Sequence, residues 1–207
     1  MFEQFDEIEK NNKIANWINR FCEDRFVQIS RNDGDQKPGR AIMHLIPFES
    51  LDPMKHIEME PAFQELKDYR YPKYNSDGFR CGEDHEYLQL FRNGAMECAM
   101  ISPNGDISGS DLRKFFISGL NTYLKAAKVL KIEPPIFVKV SLLDAEKIFP
   151  DFKGLIYKDG NKIDTEKLVL IPILVSDLET KAEDILRRAL DEIWQAAGIE
   201  KQPRAVS

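Results

Sequence analysis

Tyr87-Leu88-Gln89-Leu90-Phe91-Arg92-Asn93-Gly94-Ala95-Met96-Glu97-Cys98-Ala99-Met100 is the stretch on which the fold turns. Two arms with β-strand character flank Asn93-Gly94, a pair of residues that tolerate positive φ and so favour a tight hairpin turn. A symmetric two-residue turn of the I′ type would pair Arg92 with Ala95, Phe91 with Met96 and Leu90 with Glu97. The hairpin is therefore expected to anchor an antiparallel sheet.

Working outward, the order of elements reads helix, strand, irregular segment, strands with the hairpin, helix, two strands, helix. The run Arg40-Ala41-Ile42-Met43-His44-Leu45-Ile46-Pro47 reads as a buried strand closed by proline. Asn75-Ser76-Asp77-Gly78 is a turn into the strand Phe79-Arg80-Cys81, and Ser102 to Asp106 forms another turn. Ser110-Asp111 is expected to cap a helix running to about Leu130, with a stripe that includes Leu112, Phe115, Phe116, Leu120, Tyr123 and Leu124. In Leu168 to Val175, Pro172 cannot donate to a ladder, which marks an edge strand or a bulge. Ser176-Asp177-Leu178-Glu179 has the capping-box pattern for the last helix, and Gly198 suits the residue just past its end. The partial segregation of helices and strands predicts an α+β fold: a mostly antiparallel sheet with a central hairpin, packed by two long helices, plus a long N-terminal helix. Residues 1–30 form that helix, a linker or contact element, and 31–207 a single α+β domain.

The chain has 207 residues, 43% of them hydrophobic, with 13 Phe, enough for one substantial core. A formal charge of −6 argues against this chain being a principal nucleic-acid contact, since such surfaces present a basic face. No apolar run reaches the ~20 residues needed to span a bilayer. Three cysteines without a motif suggest a reducing interior, and a cytoplasmic location is expected.

Several residues are candidates for function. Ile14, Trp17, Ile18 and Phe21 form an apolar ridge on the first helix, which either covers the domain's own sheet or serves as a contact surface for a protein partner or a second copy. His44 sits inside an apolar strand and could act as a base or a ligand. Arg40, Arg80 and Arg92, if they converge, could hold a phosphate or carboxylate bidentately. Tyr69, Tyr71 and Tyr74 with Arg70 and Lys73 have the composition of a stacking patch, although aromatics of this kind more often pin a loop onto the core. Glu83, Asp84, Glu86 and Glu97 could supply paired carboxylates. Cys81 and His85 lack a third and fourth ligand at zinc spacing, so no metal site is assigned. No dinucleotide fingerprint, P-loop, nucleophile elbow or zincin motif occurs, and no cofactor or catalytic residue is named.

One resemblance gathers these pieces. The stretch Trp17 to Ile29, the strand ending His44-Leu45-Ile46-Pro47, the turn Tyr74-Asn75-Ser76-Asp77-Gly78 and the hairpin Leu90-Phe91-Arg92-Asn93-Gly94-Ala95-Met96-Glu97 occur in an order that resembles the C-terminal region of bacterial proteins with a Schlafen-like, Alba-type DNA-binding domain. It covers roughly residues 14–130. It implies a non-enzymatic accessory domain for assembly, partner recognition or sensing in a DNA-associated regulatory or defence protein. Nucleic acid would be reached only indirectly, through an N-terminal domain not found upstream of Trp17. The other reading is a nucleotide or small-molecule sensor, or a hydrolase, with a pocket near His44, Arg80, Arg92 and Tyr74.

Overall fold

A computed structural model describes residues 2–31, 37–66, 71–102, 107–149 and 162–200, with side chains described from residue 11 onward apart from Phe149. Tyr69, Arg70 and the turn at 103–106 lie outside the described residues.

The chain runs α1 (Phe2–Ile29), β1 (Gly39–Pro47), α2 (Phe63–Leu66), β2 (Lys73–Tyr74), β3 (Gly78–Gly82), β4 (Glu86–Phe91), β5 (Met96–Ser102), β6 (Ile107–Ser108), α3 (Gly109–Val129), β7 (Ile136–Leu143), β8 (Ile148–Phe149), β9 (Lys167–Val169), β10 (Ile173–Val175) and α4 (Ala182–Ala196). An eight-stranded antiparallel sheet has the order β10-β7-β1-β5-β4-β3-β2, with β9 also on β7. β6 and β8 form a small parallel pair. The fold is α+β as the sequence predicts, with the β4–β5 hairpin inside the sheet. No described helix is long and apolar enough to cross a membrane.

Helices cover both faces of the sheet. On one face, Ala41, Met43 and Leu45 of β1 join Cys98 of β5 and the α3 stripe Leu112, Phe116, Leu120 and Tyr123, with Leu186, Leu190 and Ile193 of α4. On the other face, Ile42 and Ile46 meet Ile18, Cys22 and Phe26 of α1. β1 is therefore buried along its whole length, and this double burial is why it reads as a continuous apolar run rather than an alternating one. The apolar ridge of α1 packs on its own sheet: Ile18 is buried, and Ile14, Trp17 and Phe21 are half-buried against the same cluster. α1 is thus a layer of the domain.

Three local expectations need correction. The hairpin turn is one residue longer than a I′ turn. Phe91 N–H donates to Ala95 O at 2.8 Å and Gly94 N–H to Phe91 O at 2.9 Å. Only Gly94 has positive φ, +88°. The loop is thus Arg92-Asn93-Gly94, a turn followed by a glycine bulge. Leu90 consequently faces Met96, and Gln89 faces Glu97. The cap of α3 is Ser108 rather than Ser110-Asp111; its Oγ accepts from Asp111 N–H at 3.1 Å. The Ser176–Glu179 pattern forms a turn, in which Asp177 Oδ1 accepts from Glu179 N–H at 2.9 Å, and α4 starts at Ala182. Gly198 does close α4, with φ +78° and its N–H on Gln195 O at 2.8 Å.

The turn into β3 demands glycine. Gly78 has φ +152°, and a Cβ there would stand 2.2 Å from the Leu90 carbonyl oxygen. Gly78→Ala is expected to destabilise the fold by at least about 2 kcal/mol, through backbone strain and a lost β3–β4 register. The thermal midpoint should then fall by roughly 4–8 °C. Gly198→Ala is the control, because that site has open space within 4 Å and only the positive φ to penalise it. Equal midpoints for the two variants would refute the steric argument.

Candidate functional site

The helical stripe Ile18, Cys22, Arg25, Phe26 places one cation among core-facing residues. Its partner is Glu97, a carboxylate in the middle of apolar β5. Arg25 Nε and Nη2 donate to Glu97 Oε2 and Oε1, both at 2.9 Å. His44 Nε2 lies 3.0 Å from Oε2, and Tyr87 Oη donates to Oε1 at 2.8 Å. Each carboxylate oxygen thus meets two donors, which uses the full acceptor capacity of the group. Glu97 and His44 are both 0% exposed.

This satisfaction decides the charges. Burial opposes ionisation of Glu97, but His44 and Arg25 outweigh it and bring its pKa from 4.5 down to about 2. Burial likewise opposes the imidazolium; Cys22 and then Glu97 outweigh it and raise His44 from 6.5 to about 9. Burial, reinforced by Glu97, pushes the Tyr87 phenol up, so it remains a donor. Aromatic rings close the cluster. Phe21 stands edge-on to His44 at 5.5 Å and to Phe91 at 5.5 Å, while Trp17 stacks on Phe21 at 5.4 Å. Cys22, His44 and Glu97 have the residue types of a nucleophile triad, yet all three are sealed beneath α1. Their role is to dock α1 and to hold Arg25 and Tyr87 in place.

Those two residues lead out of the core into a cleft of about 450 Å³ between the C-terminal end of α1 and strands β3 and β4. Arg25, Gln28 and Ile29 form one wall; Asn75, Asp77, Arg80, Asp84, Tyr87, Gln89 and Ile101 form the rest. The Arg80 guanidinium lies over the Tyr87 ring, 3.7 Å from its centroid. Asn75 Nδ2 donates to Gln89 Oε1 at 2.7 Å, and Asn75 Oδ1 accepts from Gly78 N–H at 2.8 Å. The volume matches that of small-molecule sites, although the lining is unusually polar.

The register explains how these side chains meet. Lys139 faces His44, His44 faces Glu97, Glu97 faces Gln89, Gln89 faces Arg80 and Arg80 faces Lys73. They form one polar row across β7, β1, β5, β4, β3 and β2, on the face that carries α1. Lys139 is also buried there and donates to Asn19 of α1.

Of the residues singled out from sequence, His44 and Arg80 share this row, but His44 is walled off from the cleft by Glu97. Arg92 lies at the rim and reaches Ser76 O and Asn75 O, each at 3.4 Å. Tyr74 is on the opposite face, packed on Phe63 and Phe79. Cys81 is buried in the α3-side core, and His85 is exposed beside Glu83. No cluster of three His, Cys, Asp or Glu among the described residues could hold a metal ion. Arg25, Asn75, Tyr87 and Gln89 escape the sequence reading as site residues. The available signal is a charge inside each apolar pattern, Arg25 in the α1 stripe and Glu97 in β5.

No protein-family model, curated protein or solved structure matches the chain. The functional reading therefore rests on the geometry.

Proposed function

We propose that this chain is an accessory sensing module that binds a small polar molecule in the cleft between α1 and β3–β4. The observation that carries the reading is the continuity of the cleft with the buried cluster: Arg25 lines the cavity and also clamps Glu97. A ligand that touches Arg25, Gln28 or Ile29 acts directly on the seating of α1, as a sensor requires. The alternative of assembly through the α1 ridge is disfavoured because that ridge is spent on its own sheet. Under the Schlafen-like resemblance, such a module would serve a DNA-associated regulatory or defence protein.

A thermal-shift screen of the full chain against nucleotides, cyclic nucleotides, sugar phosphates and divalent metals tests this. A ligand at ~100 times its dissociation constant adds about 2.7 kcal/mol. For a domain of this size the midpoint should rise by about 5–10 °C. Amide exchange should slow at the end of α1 and along β3. Protection confined to some other surface, or silence across the panel, would refute the reading.

A further inference from the structure

Lys73 and Arg80 stand directly opposite each other on β2 and β3, on the face of the cleft. Like charges in directly opposed positions are destabilising, yet this pair occupies adjoining strands, and Arg80 of the pair lines the cavity. Lys73 is exposed and has no ion-pair partner among the described residues. The Arg80 guanidinium sits over the Tyr87 ring, which restrains the position of its N–H fork. Its one acidic partner among the described residues, Asp84, is 3.6 Å away and fully exposed, a contact that a competing anion displaces easily. Arg25 differs: its N–H groups are committed to Glu97, Gln28 and Asp77.

We infer that Lys73 and Arg80 form an anion clamp for the phosphate of a phosphate monoester, whose polar body occupies the cleft beside Asn75 and Gln89. Two cations match the charge of −1.5 to −2 that such a phosphate carries near neutrality. The planar fork of Arg80 supplies bidentate hydrogen bonds, and Lys73 supplies a point charge at the open edge. The mutually paired Asn75 and Gln89 amides and the Asp77 carboxylate suit hydroxyl and amine groups on the rest of the molecule. This inference rests on the sensing reading above and specifies its ligand.

The test is calorimetric titration of the full chain with nucleoside monophosphates, hexose phosphates, the dephosphorylated form of each, and inorganic phosphate. At least one phosphorylated compound should bind, and its dephosphorylated form should bind at least about tenfold more weakly. The nucleoside and hexose arms decide which body the cleft takes. Arg80→Gln should lower affinity by about ten- to a hundredfold, with Arg80→Lys between that variant and the parent. Lys73→Glu offers a readout independent of ligand. It replaces a repulsive cross-strand pair with an attractive one, so the free protein should melt about 1–4 °C higher while phosphate-ester binding is lost. Equal affinity for a compound and its dephosphorylated form, unchanged by Arg80→Gln, would overturn the clamp while leaving the cleft reading intact. Binding of nothing in either series would overturn both.

Discussion

Glu97→Ala is expected to lower the unfolding free energy by about 3–5 kcal/mol, the range for removing one partner of a buried ion pair. The substitution leaves Arg25 with Asp77 as its remaining counter-charge, His44 without its buried carboxylate, and the Tyr87 hydroxyl without its acceptor. Arg25 is only partly buried and keeps Asp77 at 3.3 Å, so it relaxes toward solvent; His44, sealed under Phe21, cannot. The loss should therefore concentrate on α1, whose docking residues Cys22 and Phe26 lie against the same cluster. Calorimetry should show a midpoint about 6–20 °C below the parent. Amide exchange should accelerate along α1 before the β1–β5 ladder opens. In a double-mutant cycle of Glu97→Ala with His44→Ala, the effects should be far from additive, because each single variant strands the other group. A loss under about 1 kcal/mol, at the level of an exposed ion pair, would mean that the cluster does not hold the helix.

The same cluster predicts a bell-shaped dependence of stability on pH, with its top between about 4.5 and 6.5. Glu97 binds its proton less readily when folded than when unfolded. Its contribution is complete above the unfolded value of 4.5 and disappears as pH falls toward about 2. His44 works in the opposite direction. Its folded pKa is raised, so its contribution is complete below 6.5 and disappears as pH rises through about 9. A shift of this size corresponds to a few kcal/mol, of order 3. The groups facing His44 are Glu97 from β5, Cys22 from α1 and Lys139 from β7. Denaturant midpoints measured from pH 4 to 10 should fall along the alkaline side, and His44→Gln should flatten that side. Stability that holds level between pH 6.5 and 9.5 in the parent would refute an imidazolium at this site.

The α+β class, the strand around His44 and the bounds of α3 were legible in local sequence because each depends on near neighbours: the period of apolar residues, a proline, a capping serine. Even there, the cap of α3 moved two residues, because Ser108, Ser110 and Asp111 all offer an oxygen and only the chain entering from β6 selects among them. Arg25 and Glu97 are each a charge within an apolar pattern, a local signal that does not by itself mark a site. That they meet was not legible, because 72 residues separate them.

The hairpin shows where local reading ends. Asn93-Gly94 guarantees a turn, but it serves a two-residue or a three-residue loop. Distant contacts accompany the choice: Asn93 Nδ2 donates to Ser50 O at 3.2 Å, and Tyr123 Oη of α3 donates to Gly94 O at 3.1 Å. The consequence is large, because one step of register changes which residues share a face. With Gln89 opposite Glu97, the polar row runs unbroken from Lys139 to Lys73; with Leu90 opposite Glu97, it would be cut in two. Turn chemistry and periodicity determine by themselves that this chain forms a sheet, a hairpin and covering helices. The buried ion cluster, and the cleft it supports, come from strand order and register, which place positions 139, 44, 97, 89, 80 and 73 side by side although no short stretch of chain connects them.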